Sequence, residues 1–153
     1  KFFRLPFPNT AARKKALIYH DVHHIVTGYG SDWKGEAEIS AWEISTGCGS
    51  YSAAWILDMF GLAMGLCFYP VRTFRAFIRG RKTKNLYNNS LSKEQLLPMH
   101  ISEVQSLLLL DTPIVSKASS GEVLAFMVWS AFALAYAFVF TVLPWILIIW
   151  WLI

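Results

Sequence analysis

Residues 20–36 read HDVHHIVTGYGSDWKGE, and how this stretch folds decides the architecture. His20 and His24 stand four apart, the spacing that puts two side chains on one face of a helix, a turn apart. That helix starts after a cap at Asn9 or Thr10 and runs to about Val26, where Gly28 and Gly30 stop it. Ser31 or Asp32 can cap a second helix, which runs to about Thr46 and ends at Gly47 and Gly49. The stretch is therefore a helix, a glycine turn and a second helix. The turn can fold Glu36, one turn into the second helix, back toward the two histidines.

Two imidazoles on one helix face are the grip that H-E-x-x-H metalloproteases use on one ion, with Asp21 here in place of the glutamate. A shorter carboxylate reaches less far, which suits Asp21 to ligation rather than to general-base work. His20, Asp21, His24 and Glu36 together form a mixed nitrogen and oxygen donor set. Such a set fits a divalent cation, zinc first, with iron, manganese or cobalt as alternatives. His23 lies at i+3 from His20, and Ser40 and Glu43 follow Glu36 on its helix face. All three are candidates to support the donors from outside. A lone histidine on an amphipathic helix is ordinarily structural. Three histidines and an aspartate within five residues, in a chain with four histidines, are harder to account for that way.

Outward from this hairpin, a third helix, long and apolar, opens at Ser50 or Tyr51 and reaches Tyr69, where Pro70 kinks or restarts it. Its one charge, Asp58, makes it a core or interface helix rather than a membrane crossing. Arg72, Arg75 and Arg79 then recur at helical spacing as a basic stripe, placed to meet lipid headgroups. Residues 80–90 are turn-rich. Ser92 with Gln95 makes a capping box for a short helix ended by Pro98, and His100 to Leu110 reads as another. Residues 111–122 read as a linker.

From Val123 to Ile153 no residue is charged. About 20 residues cross a bilayer as a helix, so 31 are long for one span and short for two; tilt or a kink at Pro144 would absorb the surplus. Trp145, Trp150 and Trp151 suit an interfacial belt. The chain is thus expected to be all-α: an extended arm at 1–9, where Pro6 and Pro8 forbid a regular helix, a helical metal-binding domain at 10–110, the linker, and a membrane segment at 123–153.

Composition agrees. The 153 residues are 55% hydrophobic and 16% aromatic, with mean hydropathy +0.40. This is more apolar than an ordinary soluble domain. The net charge of +4 comes from basic clusters beside apolar segments, which fits anionic lipid; no nucleic-acid motif is present. Cys48 and Cys67 form no C-x-x-C and have no adjacent histidine, which argues against a redox motif and a cysteine nucleophile. There is no phosphate-binding glycine loop, and Arg4, Pro6 and Pro8 interrupt what would be the apolar run of a secretory signal.

The pattern H-D-x-x-H, eleven residues, then E, set in Thr27-Gly28-Tyr29-Gly30 and Gly35-Glu36, resembles the ubiquinone (coenzyme Q) biosynthesis family known as Coq-four. A weaker likeness lies in Ile101 to Leu110. The similarity spans about residues 10–110 and is absent from 123–153, so this chain reads as a bacterial relative with an added apolar C-terminus. The resemblance implies a metal held by His20, Asp21, His24 and Glu36, with the same four as candidate catalytic residues. It also implies oxidative decarboxylation at ring carbon C1 of a polyprenylated benzoate precursor. The alternative is a non-catalytic lipid-binding scaffold that organises other ubiquinone-biosynthesis proteins. Implied partners are membrane lipid, the polyprenylated precursor, those proteins and a second copy in a homodimer. The positive-inside rule favours the cytoplasmic face of a bacterial inner membrane, or the matrix side of the mitochondrial one.

Overall fold

The computed structural model describes residues 11–89, 91–111 and 117–152, and every element in them is helical. The expected N-terminal arm, its capping residues Asn9 and Thr10, and much of the expected linker lie outside the described residues.

Helix α1 (Ala11–Thr27) ends where Gly28, at φ +76°, turns its N–H back to the His24 carbonyl at 3.0 Å. A positive φ is open to glycine at little steric cost, so the stop is written in the residue type. Helix α2 (Trp33–Thr46) is capped by Asp32, whose carboxylate accepts the Gly35 N–H at 2.9 Å. Gly35 lies against the turn so closely that a Cβ there would run into the Gly30 carbonyl. Backbone, not a flexible side chain, is the obstacle. Gly35→Ala is expected to cost about 2–3 kcal/mol and lower Tm by about 5–10 °C, read by circular dichroism in detergent, because the turn must open to admit the methyl.

Helices α3 (Ser52–Phe68) and α4 (Pro70–Gly80) flank α2. Glycines set the close approach: Gly61 meets Ser40, Gly65 meets Ala37 and Thr73, and Gly80 meets Ser45 and the Trp42 carbonyl. Ser45 donates to the Phe77 carbonyl at 2.6 Å and the fully buried Trp42 donates its indole N–H to Thr83 at 2.9 Å. Asn85 and Asn88 each donate to the Gly47 carbonyl, tying the 80–89 segment to the end of α2. The short helices α5 (Lys93–Leu96), with the expected Ser92–Gln95 capping box, and α6 (Ile101–Leu107) complete the domain.

Helix α7 (Ser120–Ala137) begins three residues before the expected membrane segment, at a Ser119–Glu122 capping box. It continues through a π-helical turn (Phe138–Val142) into α8 (Leu143–Leu152). The 33 residues from Ser120 to Leu152 are long and apolar enough to cross a bilayer. The first half of this length is also docked on the domain. Trp129 stacks on Trp55 at 5.4 Å, Phe126 meets Phe74 and Phe77 edge-on, Ala133 is fully buried, and Tyr136 meets Phe60 at 5.0 Å. The N-terminal half of this segment is therefore part of the domain's packing rather than a tail beyond a linker. The π turn precedes Pro144, which has no N–H to give the Phe140 carbonyl; the widened turn lets the Leu143 N–H reach Phe138 instead.

Candidate metal centre

The sequence places His20 and His24 on one face of α1, and the structure aims their Nε2 atoms at each other, 3.1 Å apart. Each ring's other nitrogen is already engaged. His24 Nδ1 lies 3.1 Å from the Tyr29 carbonyl, which only accepts, so Nδ1 carries the proton there. His20 Nδ1 lies 3.1 and 3.2 Å from the two oxygens of Glu43 and likewise donates. Both Nε2 lone pairs of the neutral rings then face one point. Glu36 adds one carboxylate oxygen 3.5 Å from His20 Nε2 and the other 3.5 Å from His24 Nε2.

Two facing lone pairs need a positive charge between them. A single shared proton would join the rings and pair them with the Glu36 carboxylate at 3.5 Å. A cation uses all three donors. Metal–nitrogen bonds of about 2.0–2.1 Å at a tetrahedral angle separate the nitrogens by about 3.3 Å, and a carboxylate oxygen from each nitrogen by about 3.4 Å. The observed spacings lie within 0.2 Å of these, so the donors fit a divalent ion. Two imidazoles and one carboxylate, with further positions left open, is a set used both by zinc hydrolases and by non-haem iron oxygenases.

The expected fourth ligand, Asp21, is not brought into this group. Its side chain is exposed at the edge of the cluster; among the described residues the groups whose donor atoms lie within 4.8 Å of one another are His20, His24 and Glu36, and the more buried His20, Glu43 and Asp58. Asp21 sits one residue on from His20, about 100° around the helix, which turns it toward solvent.

Beneath the histidines lies Glu43, fully buried, the expected outer support. It accepts from His20, from His23 Nδ1 at 2.6 Å and from the Tyr87 hydroxyl at 3.2 Å. Burial opposes its charge, but hydrogen bonds from His20 and His23 outweigh that and hold it well below the usual carboxylate range. His23 is fixed as a donor because its Nε2 accepts the Leu86 N–H at 2.9 Å, and burial lowers its pKa despite Glu43. For His20 burial works against the protonated ring, yet the hydrogen bond to Glu43 raises its pKa. An imidazole backed by a buried carboxylate is a more basic and better oriented ligand.

Sequence reading missed Tyr87 and the chemistry of Asp58. Asp58 is buried beside Glu43, Ser40 and Cys48, with the Cys48 thiol 3.3 Å away. Burial, then the Glu43 charge, raises its pKa well above normal, so one proton is shared between two carboxylates. Its lone position in an apolar helix was the visible signal; Tyr87 carried none. Ser40, the other expected support, touches Asp58 rather than the histidines.

The basic stripe also has other work. Arg72 pairs with Glu38 at 3.0 Å, and Arg79 donates to the Thr27 carbonyl at 2.8 Å while lying over the Tyr29 ring. Arg79 thus braces the turn that holds His24. Of the three arginines proposed for headgroups, only Arg75 is exposed with neither engagement.

A cleft of about 650 Å³ opens beside the cluster. His20, Asp21, Glu36, Ser40, Asp58 and Tyr87 are its polar residues, and Leu17, Trp33, Leu57, Phe60 and Met64 line the rest. The fold and site define an all-helical protein with a candidate two-histidine, one-carboxylate centre at the head of an apolar cleft. No family model, curated protein or solved structure matches the chain.

Proposed function

We propose that this chain is a membrane-held metal protein of ubiquinone biosynthesis, acting on a polyprenylated benzoate-type precursor whose ring sits at the cation and whose tail lies in the cleft. The observation that carries this is the pair of Nε2 lone pairs converging with Glu36 at the polar end of an apolar cavity. Glu36 is 38% exposed by side chain, so the centre opens toward a ligand, as catalytic sites do and closed structural sites do not.

A bound divalent ion would supply Lewis acidity to a ring oxygen and stabilise the electron pair left on the ring as the carboxyl group departs as carbon dioxide and a proton takes its place. The chain's own residues prepare that chemistry. Glu43 keeps the Nδ1 proton of His20 in place and Tyr29 does so for His24, so both rings present basic nitrogens. Phe60 and Met64 exclude water from the apolar end, and the Asp58–Glu43 pair holds a proton near the polar end.

In a strain deleted for the corresponding gene, Glu36→Ala is expected to leave the protein at its normal level, stop quinone formation and build up one carboxylated prenylated intermediate, read by lipid extraction and mass spectrometry. Intact quinone synthesis would overturn the proposal. Loss of partner proteins without a defined carboxylated intermediate would assign the scaffold role instead.

A further inference from the structure

Three cleft-lining residues are also open to solvent: Trp33 at 74% exposure, Leu57 at 48% and Leu17 at 38%. A side chain that both walls a cavity and faces solvent stands at its mouth. These three come from α2, α3 and α1, so they ring the opening rather than follow one helix. Large exposed apolar side chains gathered around an opening mark a surface that something covers.

What covers it follows from the next wall residue. Phe60 lines the same cleft and its ring meets Tyr136 at 5.0 Å. Tyr136 is one residue from the end of α7; from Phe138 onward the apolar helix leaves the domain, and its side chains are almost all exposed. The mouth therefore adjoins the point where the candidate span departs. Exposed Lys14, one turn before Leu17, and exposed Lys34, next to Trp33, flank the apolar ring together with the likewise exposed Asp21 and Asp32. Tryptophan with flanking lysine is the composition of a membrane–water interface.

We infer that the rim formed by Leu17, Trp33 and Leu57 is seated in the headgroup layer of a bilayer, so that the cleft opens sideways into lipid rather than into water. This rests on the membrane reading of Ser120–Leu152 and assigns a docking surface to a part of the chain outside that helix.

Cys48 is buried and Cys67 exposed, so a Cys67→Ser background leaves a chain that takes a thiol-reactive nitroxide only where a cysteine is added. Full-length protein with Leu57→Cys, or with Lys93→Cys on α5 as an aqueous control, is labelled and reconstituted into phosphatidylcholine–phosphatidylglycerol vesicles. Collision with oxygen is then compared with collision with a water-soluble nickel chelate. The Leu57→Cys label is expected to have an oxygen-to-nickel ratio several-fold above that of the control, and adding Trp33→Ser is expected to reduce it. Equal ratios at the two positions in protein that floats with the vesicles would overturn the inference while leaving the span in place. Spin–spin broadening at position 57 would put a second copy on the rim and also overturn it. Protein that does not float with vesicles would remove the membrane reading itself.

Discussion

Purified His24→Ala protein is expected to lose its bound divalent metal, with affinity falling by more than about 100-fold, or about 2.7 kcal/mol. The reason is geometric. His20, His24 and Glu36 are the donors that converge, and removing one leaves two, with Asp21 facing solvent instead of completing the set. The fold is expected to survive, because His24 is partly exposed and its single Nδ1 bond to the Tyr29 carbonyl can be replaced by water. The check is elemental analysis by mass spectrometry beside wild type, with His20→Ala as a parallel and Asp21→Ala as a contrast. Asp21→Ala should retain metal. If wild type holds none after expression in supplemented medium, or if His24→Ala holds as much, the three donors do not form a metal centre.

The second large effect lies one layer deeper. Glu43→Ala is expected to cost about 3–5 kcal/mol and lower Tm by about 10–15 °C. The carboxylate is fully buried and is the acceptor for three donors, on His20, His23 and Tyr87, which alanine would leave unanswered in a dry interior. Glu43→Gln separates packing from charge. It keeps the volume but offers one acceptor oxygen, and its amide N–H₂ opposes the histidine N–H groups. That variant should fold with a smaller loss of Tm and still show metal affinity reduced about 10–100-fold, because His20 loses the group that orients it and raises its basicity. Thermal melts of both variants and competitive chelator titration of Glu43→Gln read the two effects separately. An unchanged affinity in Glu43→Gln would mean that His20 needs no support from below.

The contrast between these two layers also marks where sequence is readable. Stops and caps act over three or four residues, so Gly28, Asp32 and the Ser92–Gln95 box announced the helices correctly. The Ser119–Glu122 box carries the same signal, but the eye follows hydropathy and starts the last helix where charge ends. Helical spacing placed His20, His24 and Glu36 on the right faces, and Glu43, two turns beyond Glu36, with them. Spacing alone sets Asp21 about 100° around α1 from His20, and the structure brings His20, His24 and Glu36 together without it. Tyr87 and the Leu86 N–H reach His23 and Glu43 from more than 40 residues away, and no local pattern encodes that meeting. The arginine stripe was periodic as read, but its targets, Glu38 and the Thr27 carbonyl, are set by how α4 packs.

Helix α1 meets α2 over a shorter stretch than it meets α3 or α6, and the described polar contacts between α1 and α2 are those of His20, His23 and His24 with Glu36 and Glu43. The same α1 supplies one wall of the cleft through Ala16 and Leu17. Under the proposed function, an ion at the three donors would add a clasp between the two helices on the side of His24. Chelation would remove that clasp and loosen this edge of the cleft, while the buried bonds of His20 and His23 to Glu43 keep α1 in place.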